Sequence, residues 1–178
     1  MINLMHNCIP KYDSEYTRIS KDEYYLEIAE TVAKRSTCLR THYGSVIVKN
    51  DRIVSTGYNG APHGRKNCDE IGHCYRIENN IPHFTRYETC RSCHSEMNAI
   101  ISASKEEMLG ATLYLVGIDM KTGKDVTNTR PCSLCKRCII NAGIETVVVR
   151  SENEYGNIEV DRLSVQSWID DENLDEYK

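Results

Sequence analysis

No apolar run in this chain approaches the roughly 18 residues that a membrane-spanning helix needs, so a helical span is excluded. Excess positive charge is also missing. Lys and Arg number 22 against 26 Asp and Glu, a formal net charge of −4. Broad binding to a polyanion needs a basic face, so a polynucleotide partner is not expected; a few Arg or Lys gripping one phosphate are compatible with this balance. Met1 to Tyr12 lack a basic start followed by an apolar core, and no secretory signal is read there. Internal repeats, linkers and low-complexity segments are absent. A chain of 178 residues reads as a single domain, 1–178, able to bury a core without staples.

Cysteine, by contrast, is plentiful. Nine occur, about half the density that marks a small disulfide scaffold. The number is odd and no secretory signal accompanies it. Metal ligands and reduced thiols are therefore expected, in a cytoplasmic protein, rather than a disulfide framework.

Periodicity places the elements. Residues 1–19 read as an irregular lead-in. Ser20 with Glu23 forms a capping-box pattern ahead of a helix over about 21–36. Two β-branched runs, 44–49 and 52–57, flank Asn50-Asp51 and predict a hairpin. Residues 59–93 carry turn formers and no period, a stretch that something other than regular structure should hold. A helix over 94–105, a strand over 110–116 and a hairpin-like excursion over 118–130 follow. The pattern closes with a helix over 132–142 stopped by Gly143, and a strand over 144–149. The motif-bearing core thus spans about 21–150. Residues 151–178 read as an acidic tail with one amphipathic stretch near Leu163 to Ile169. The order α-β-β-α-β-α-β predicts an α/β fold, one sheet with helices on both faces.

Two helix starts carry the chemistry. His94-Ser95-Glu96 opens one. Pro131-Cys132-Ser-Leu-Cys135 opens the other, with Pro131 expected at its first turn. Cys132 and Cys135 at i, i+3 share a face, and a helix N-terminus favours the thiolates a metal requires. One nitrogen and two sulfurs leave a fourth position open, the layout of a catalytic zinc rather than a structural one. Glu96 is too close in the chain to His94 to be an obvious fourth ligand. It is well placed to take a proton from water and hand it on. The joint pattern H-x-E, a gap, then P-C-x-x-C is the zinc deaminase signature.

With these motifs the chain resembles the cytidine and deoxycytidylate deaminases. The likeness rests on Thr37-Cys38, Gly44-Ser-Val-Ile-Val48, Ser55-Thr-Gly-Tyr-Asn-Gly-Ala-Pro62, His94-Ser-Glu-Met-Asn-Ala-Ile100, Pro131-Cys-Ser-Leu-Cys135 and Ile139-Ile-Asn-Ala-Gly-Ile144. The Gly57 to Pro62 run and the Asn98-Ala-Ile100 ending point to the deoxycytidylate branch. The resemblance implies a three-layer α/β/α fold with a mixed sheet of about five strands, one more than the four read from periodicity. It implies hydrolysis of dCMP to dUMP and ammonia, feeding dTTP synthesis. It assigns zinc to His94, Cys132 and Cys135, acid–base chemistry to Glu96, a sugar contact to Asn59 and a pyrimidine-carbonyl contact to the Ser95 backbone. An aromatic near the base corresponds to Tyr155. Homo-oligomers, often hexamers, activated by dCTP and inhibited by dTTP are also implied.

Two departures stand out. The 117–130 segment is inserted beside the second zinc motif, and Ser95 replaces the usual small alanine. Arg130, at the end of that insertion, is the leading phosphate contact among Arg40, Arg65, Lys66, Arg130 and Arg150. Cys38, Cys68, Cys74 and Cys90 flank or occupy the aperiodic stretch, and four thiolates suit a closed structural zinc. Some relatives resemble this in carrying a second zinc, with Cys at the positions of Cys38 and Cys68. Cys8 and Cys138 read as spare thiols. Other readings are a deaminase of another cytosine nucleotide or nucleoside, and a non-catalytic, zinc-stabilised accessory protein; Glu96 speaks against the latter.

Overall fold

The structure, a computed structural model, describes residues 17–169. The lead-in up to residue 16, including Cys8, and the acidic residues from 170 onward lie outside the described residues. Helix α1 spans Lys21–Ala33. It begins as its capping box dictates: Glu23 N–H donates to Ser20 Oγ at 3.1 Å and Ser20 N–H to Glu23 Oε2 at 2.8 Å. It ends three residues earlier than its periodicity suggested. Arg35 and Ser36 bond back only three residues, tightening the last turn, and the Ser36 hydroxyl is drawn instead onto Asn59.

Strands β1 (Thr41–Lys49) and β2 (Arg52–Tyr58) form the expected hairpin. Asn50 and Asp51 both take positive φ, 50° and 61°, as a twist-matched two-residue turn requires. Tyr25 Oη donates to Asp51 Oδ1 at 2.6 Å and Lys21 pairs with the same carboxylate, tying the turn to α1. Between residues 59 and 93 the chain makes short turns: α2 (Cys68–Ile71), α3 (Tyr75–Glu78) and a 3₁₀ turn at Tyr87–Thr89. Arg76 holds this stretch. Its buried guanidinium donates to the carbonyls of Pro82, Thr85 and Arg86 and lies 4.6 Å from the Tyr87 ring centroid.

The next elements are α4 (Ser95–Ile101), α5 (Lys105–Met108), β3 (Thr112–Asp119), α6 (Ser133–Ala142) and β4 (Thr146–Glu152). The predicted helix over 94–105 is two helices, because Ser104 caps a new start by bonding Glu107. Gly143 closes α6 at φ 77° as expected. Pro131 lies one residue before the cap rather than in the first turn. Cys132 is the N-cap, with ψ 168°, so the helix starts at Ser133. The 118–130 excursion is a narrow loop. It is bridged at Ile118–Asp125 and clamped by Arg150, which donates twice to Asp125 at 2.9 Å and once to Glu30 at 2.8 Å.

The region read as an acidic tail supplies a fifth strand, β5 (Ile158–Ser164), and a turn of helix, α7 (Gln166–Ile169). β5 is an edge strand with most residues exposed, so its sequence carries charge where a core strand would carry Val or Ile. The sheet order is β2-β1-β3-β4-β5, antiparallel except for the β3–β4 pair. This is the mixed five-stranded sheet that the resemblance implies. Leu26 and Ala29 of α1 pack on Val46, Val48, Val116 and Val148 at one face. Ala99 of α4 and Ile139 of α6 pack on Ile47, Leu113, Leu115 and Val149 at the other. Three layers result. Two glycines permit this closeness: a Cβ on Gly44 would stand 2.0 Å from Ala29 O, and one on Gly57 2.3 Å from Ser95 O.

Candidate active site

Helix α6 is the crossover between parallel strands β3 and β4, so its N-terminus opens at their carboxyl ends. Helix α4 delivers its own N-terminus to the same place. His94 is the N-cap of α4 and Cys132 the N-cap of α6, while Cys135 lies in the first turn of α6. His94 Nδ1 stands 3.4 Å from Cys132 Sγ and 3.3 Å from Cys135 Sγ. Tetrahedral zinc with bonds of about 2.0–2.1 Å to nitrogen and about 2.3 Å to sulfur sets these atoms about 3.5 Å apart, so the three donors fit the ion. Among the described residues this is the one group of three or more metal-ligating side chains whose donor atoms all lie within 4.8 Å of each other. The paired sulfurs favour one thiolate. The hydrogen bond from Cys135 draws the Cys132 thiol well below its ordinary range and pushes Cys135 up. The Tyr87 ring meets the His94 imidazole edge-on at 4.5 Å and fixes its plane.

Glu96 sits beside this triad, 4% exposed. Burial pushes its carboxyl above the ordinary carboxylate range, against the pull of the His94 charge. A carboxyl whose protonated form is favoured by burial can give a proton as well as take one.

A partly open cleft with a cavity volume of about 70 Å³ leads to the triad. Thr41, Tyr43, Asn59, Tyr87, Arg40 and Arg130 are among its walls. Asn59 reaches it because Gly60 and Cys93 exchange backbone hydrogen bonds of 3.2 and 2.9 Å, stitching the Gly57 to Pro62 run to the residue before His94. Its amide is largely spent. Oδ1 accepts from Ser36 Oγ at 2.6 Å and Tyr43 N–H at 2.8 Å, and Nδ2 donates to Thr41 O at 2.9 Å. One Nδ2 hydrogen remains for a ligand.

The five basic candidates separate cleanly. Arg40 and Arg130 line the cleft, Arg150 is committed to Asp125 and Glu30, and Arg65 and Lys66 do not line it. Arg130 Nη2 pairs with Asp161 of β5 at 3.0 Å and Nη1 donates to Thr129 O. Tyr155 does not reach the cleft. It lies 84% exposed in the β4–β5 turn, because that turn folds back to start the fifth strand instead of covering the site. Tyr43, Tyr87, His83 and Phe84 also wall the cleft and were not singled out beforehand. Three of these sit in the aperiodic stretch, where no local pattern marks them.

The second cysteine set is gathered but open. After burial, Cys38, Cys74 and Cys90 all push the Cys68 thiol up, so the four are neighbours. No three of their sulfurs come within 4.8 Å of each other. None of the described cysteines is in a disulfide.

A family model for the cytidine and deoxycytidylate deaminase zinc-binding region matches residues 19–151. The deoxycytidylate deaminase of Mycobacterium phage D29 is 36% identical over 136 residues, covering 74% of this chain and 95% of that protein. The deoxycytidylate deaminase of Schizosaccharomyces pombe is also 36% identical, over 74% of this chain but only 37% of its own length. ComE operon protein 2 of Bacillus subtilis is 33% identical over 73% of this chain and 59% of its own length. Among solved structures, dCMP deaminase from cyanophage S-TIM5 in complex with dCMP and dUMP superposes with a TM-score of 0.51 at 25% identity, covering 78% of this chain and 85% of that one. Sheet order, zinc-ligand geometry, buried Glu96 and these matches agree, and the chain belongs to the cytidine and deoxycytidylate deaminase family.

Proposed function

We propose that this chain hydrolyses dCMP to dUMP and ammonia. The observation that carries it is Glu96, buried beside His94, Cys132 and Cys135 on a cleft walled by Arg40, Arg76 and Arg130. The phage relative named deoxycytidylate deaminase, matched over nearly its whole length, supports the substrate. Zinc held by the triad supplies the Lewis acidity that makes water a nucleophile near neutral pH. Glu96 moves the protons. It takes one from the attacking water and gives it to the ring nitrogen of the cytosine, then takes a second from the added hydroxyl and gives it to the departing amino group as the carbon–nitrogen bond breaks. Ser95 N–H, at the first position of α4, lacks an intrahelical partner and is available to the pyrimidine carbonyl. The remaining Asn59 Nδ2 hydrogen faces the sugar. Arg40 and Arg130 take the phosphate. Tyr155 has no part in this arrangement. The test is ammonia release from dCMP, CMP, dCTP, deoxycytidine and cytosine side by side. Turnover confined to deoxycytidine or cytosine overturns the nucleotide reading, and none with any of the five favours the accessory-protein alternative.

A second zinc on Cys38, Cys68, Cys74 and Cys90 belongs to the same reading. Its support is the mutual approach of four undisulfided cysteines around a stretch with little regular structure. A zinc held there would draw the four thiolates together and order the stretch between them. Metal analysis is expected to give two zincs per chain, falling to one in Cys68→Ser; a single zinc in both proteins ends the assignment.

The remaining parts rest on the resemblance: one deaminase domain, a homo-oligomer such as a hexamer, and a cytoplasmic site of action. Activation by dCTP and inhibition by dTTP at a site that includes the Gly57 to Pro62 run complete it. Sigmoidal dCMP kinetics made hyperbolic by dCTP with Mg²⁺ are expected. Hyperbolic kinetics indifferent to dCTP remove the regulatory part. No helix of the described residues is long and apolar enough to cross a membrane.

A further inference from the structure

The residue between His94 and Glu96 does more than lend its backbone. Ser95 is fully buried, and its hydroxyl donates to Glu96 Oε2 at 3.0 Å. Ser45, also fully buried, donates its own hydroxyl to Ser95 Oγ at 2.8 Å. A serine hydroxyl carries one proton. With Ser45 donating to Ser95, the Ser95 proton is the one directed at the carboxylate, so the chain of bonds runs Ser45 to Ser95 to Glu96. Its origin is rigid. Ser45 lies on β1, paired on one side with Gly57 of β2 and on the other with Leu115 of β3. Ser55 reinforces the same contact by donating to Ala99 O of α4 at 2.8 Å.

We propose that Ser45 and Ser95 are positioning residues that commit Glu96 Oε2 to a fixed acceptor role and leave Oε1 to carry the proton. The proposal rests on the reading of Glu96 as the proton carrier. The two oxygens of a carboxylate are chemically equivalent, and the last torsion of glutamate is soft. Unless one oxygen is held, the group samples orientations in which the proton points into the sheet rather than into the cleft. A hydroxyl anchored to the central strands removes that freedom, and linked hydroxyls strengthen each other in a low-dielectric interior. Holding a reacting group within a few tenths of an ångström of its productive place is worth large factors in rate. Two serines that merely filled space between β1 and α4 would support folding and leave turnover per folded molecule untouched.

The test measures kcat and KM for dCMP, with zinc content, in the zinc-loaded full chain and in Ser95→Ala, Ser45→Ala and the double variant. Ser95→Ala is expected to lower kcat about tenfold, the loss of one hydrogen bond to a charged group, with KM within about twofold and zinc unchanged. Ser45→Ala is expected to lower kcat about threefold. In the Ser95→Ala background it should cost nothing further, because its effect passes through Ser95. Wild-type kcat in Ser45→Ala overturns the relay, as does a double variant whose loss is the product of the single losses. If Ser95→Ala sheds zinc or melts early, Ser45→Ala, remote from the ligands, decides alone. A fully active Glu96→Gln would instead mean that the proton-carrier reading had failed; an inactive one beside fully active serine variants sinks the relay only.

Discussion

Glu96→Gln is expected to lower kcat for dCMP by at least about 10²–10⁴-fold, the usual worth of a positioned proton carrier. Zinc content and fold should survive. Gln has the shape of Glu and leaves His94, Cys132 and Cys135 untouched. The sign of the stability change separates this outcome from a damaged protein. Glu96 is buried, and burial pushes its carboxyl up because the charged form is costly there. A neutral amide removes that cost, so the melting temperature should stay level or rise. Activity lost with zinc retained and melting unchanged or higher supports the mechanism. Near-normal turnover in a zinc-loaded Glu96→Gln sinks it.

The second large effect concerns the phosphate. Deoxycytidine should be a poorer substrate than dCMP by about 10²–10⁴ in kcat/KM. Two charged hydrogen-bonding contacts at about 1.5–3 kcal/mol each give that range, since about 1.4 kcal/mol is a factor of ten. Binding energy from the remote phosphate is realised in the transition state as well as in the ground state. Arg40 spends Nε on His83 and Nη1 on Ile81 O, and Arg130 spends Nη1 on Thr129 O and Nη2 on Asp161. Each guanidinium has five N–H groups, so both retain donors for an anion without breaking a present bond. Arg130→Ala should raise KM for dCMP and leave the weak deoxycytidine activity unchanged. Equal losses on both substrates would mean that Arg130 supports the loop before Pro131 rather than the ligand. Equal kcat/KM for the two substrates in the wild-type protein would remove phosphate recognition altogether.

How much of this was legible beforehand varies by element. The α1 capping box, the Asn50-Asp51 turn and the Gly143 stop depend on a few consecutive residues, and all three stand where local chemistry puts them. Strand β5 was not legible. An exposed edge strand has no buried face to impose alternation, and the acidity of Glu159 and Asp161 resembled a solvated tail. The helix over 94–105 was overextended because Ser104 begins a second helix without breaking the apolar pattern.

The two motifs that supply His94, Glu96, Cys132 and Cys135 were legible in the sequence alone. Each motif sits at its own helix start, which is a local feature, but the meeting of His94 with Cys132 and Cys135 comes from the topology that brings the N-termini of α4 and α6 together. What approaches the triad was decided by the tertiary structure. Arg40 precedes the first strand and Arg130 ends an insertion. They share a cleft because α6 crosses between parallel strands and because Arg76, from inside the aperiodic stretch, holds the loop that walls it. Tyr155 was excluded by the same long-range pairing that made β5 a strand. Ser45 lies 50 residues from Ser95, and only the packing of α4 on the sheet, close enough to require Gly57, brings the two hydroxyls together behind Glu96.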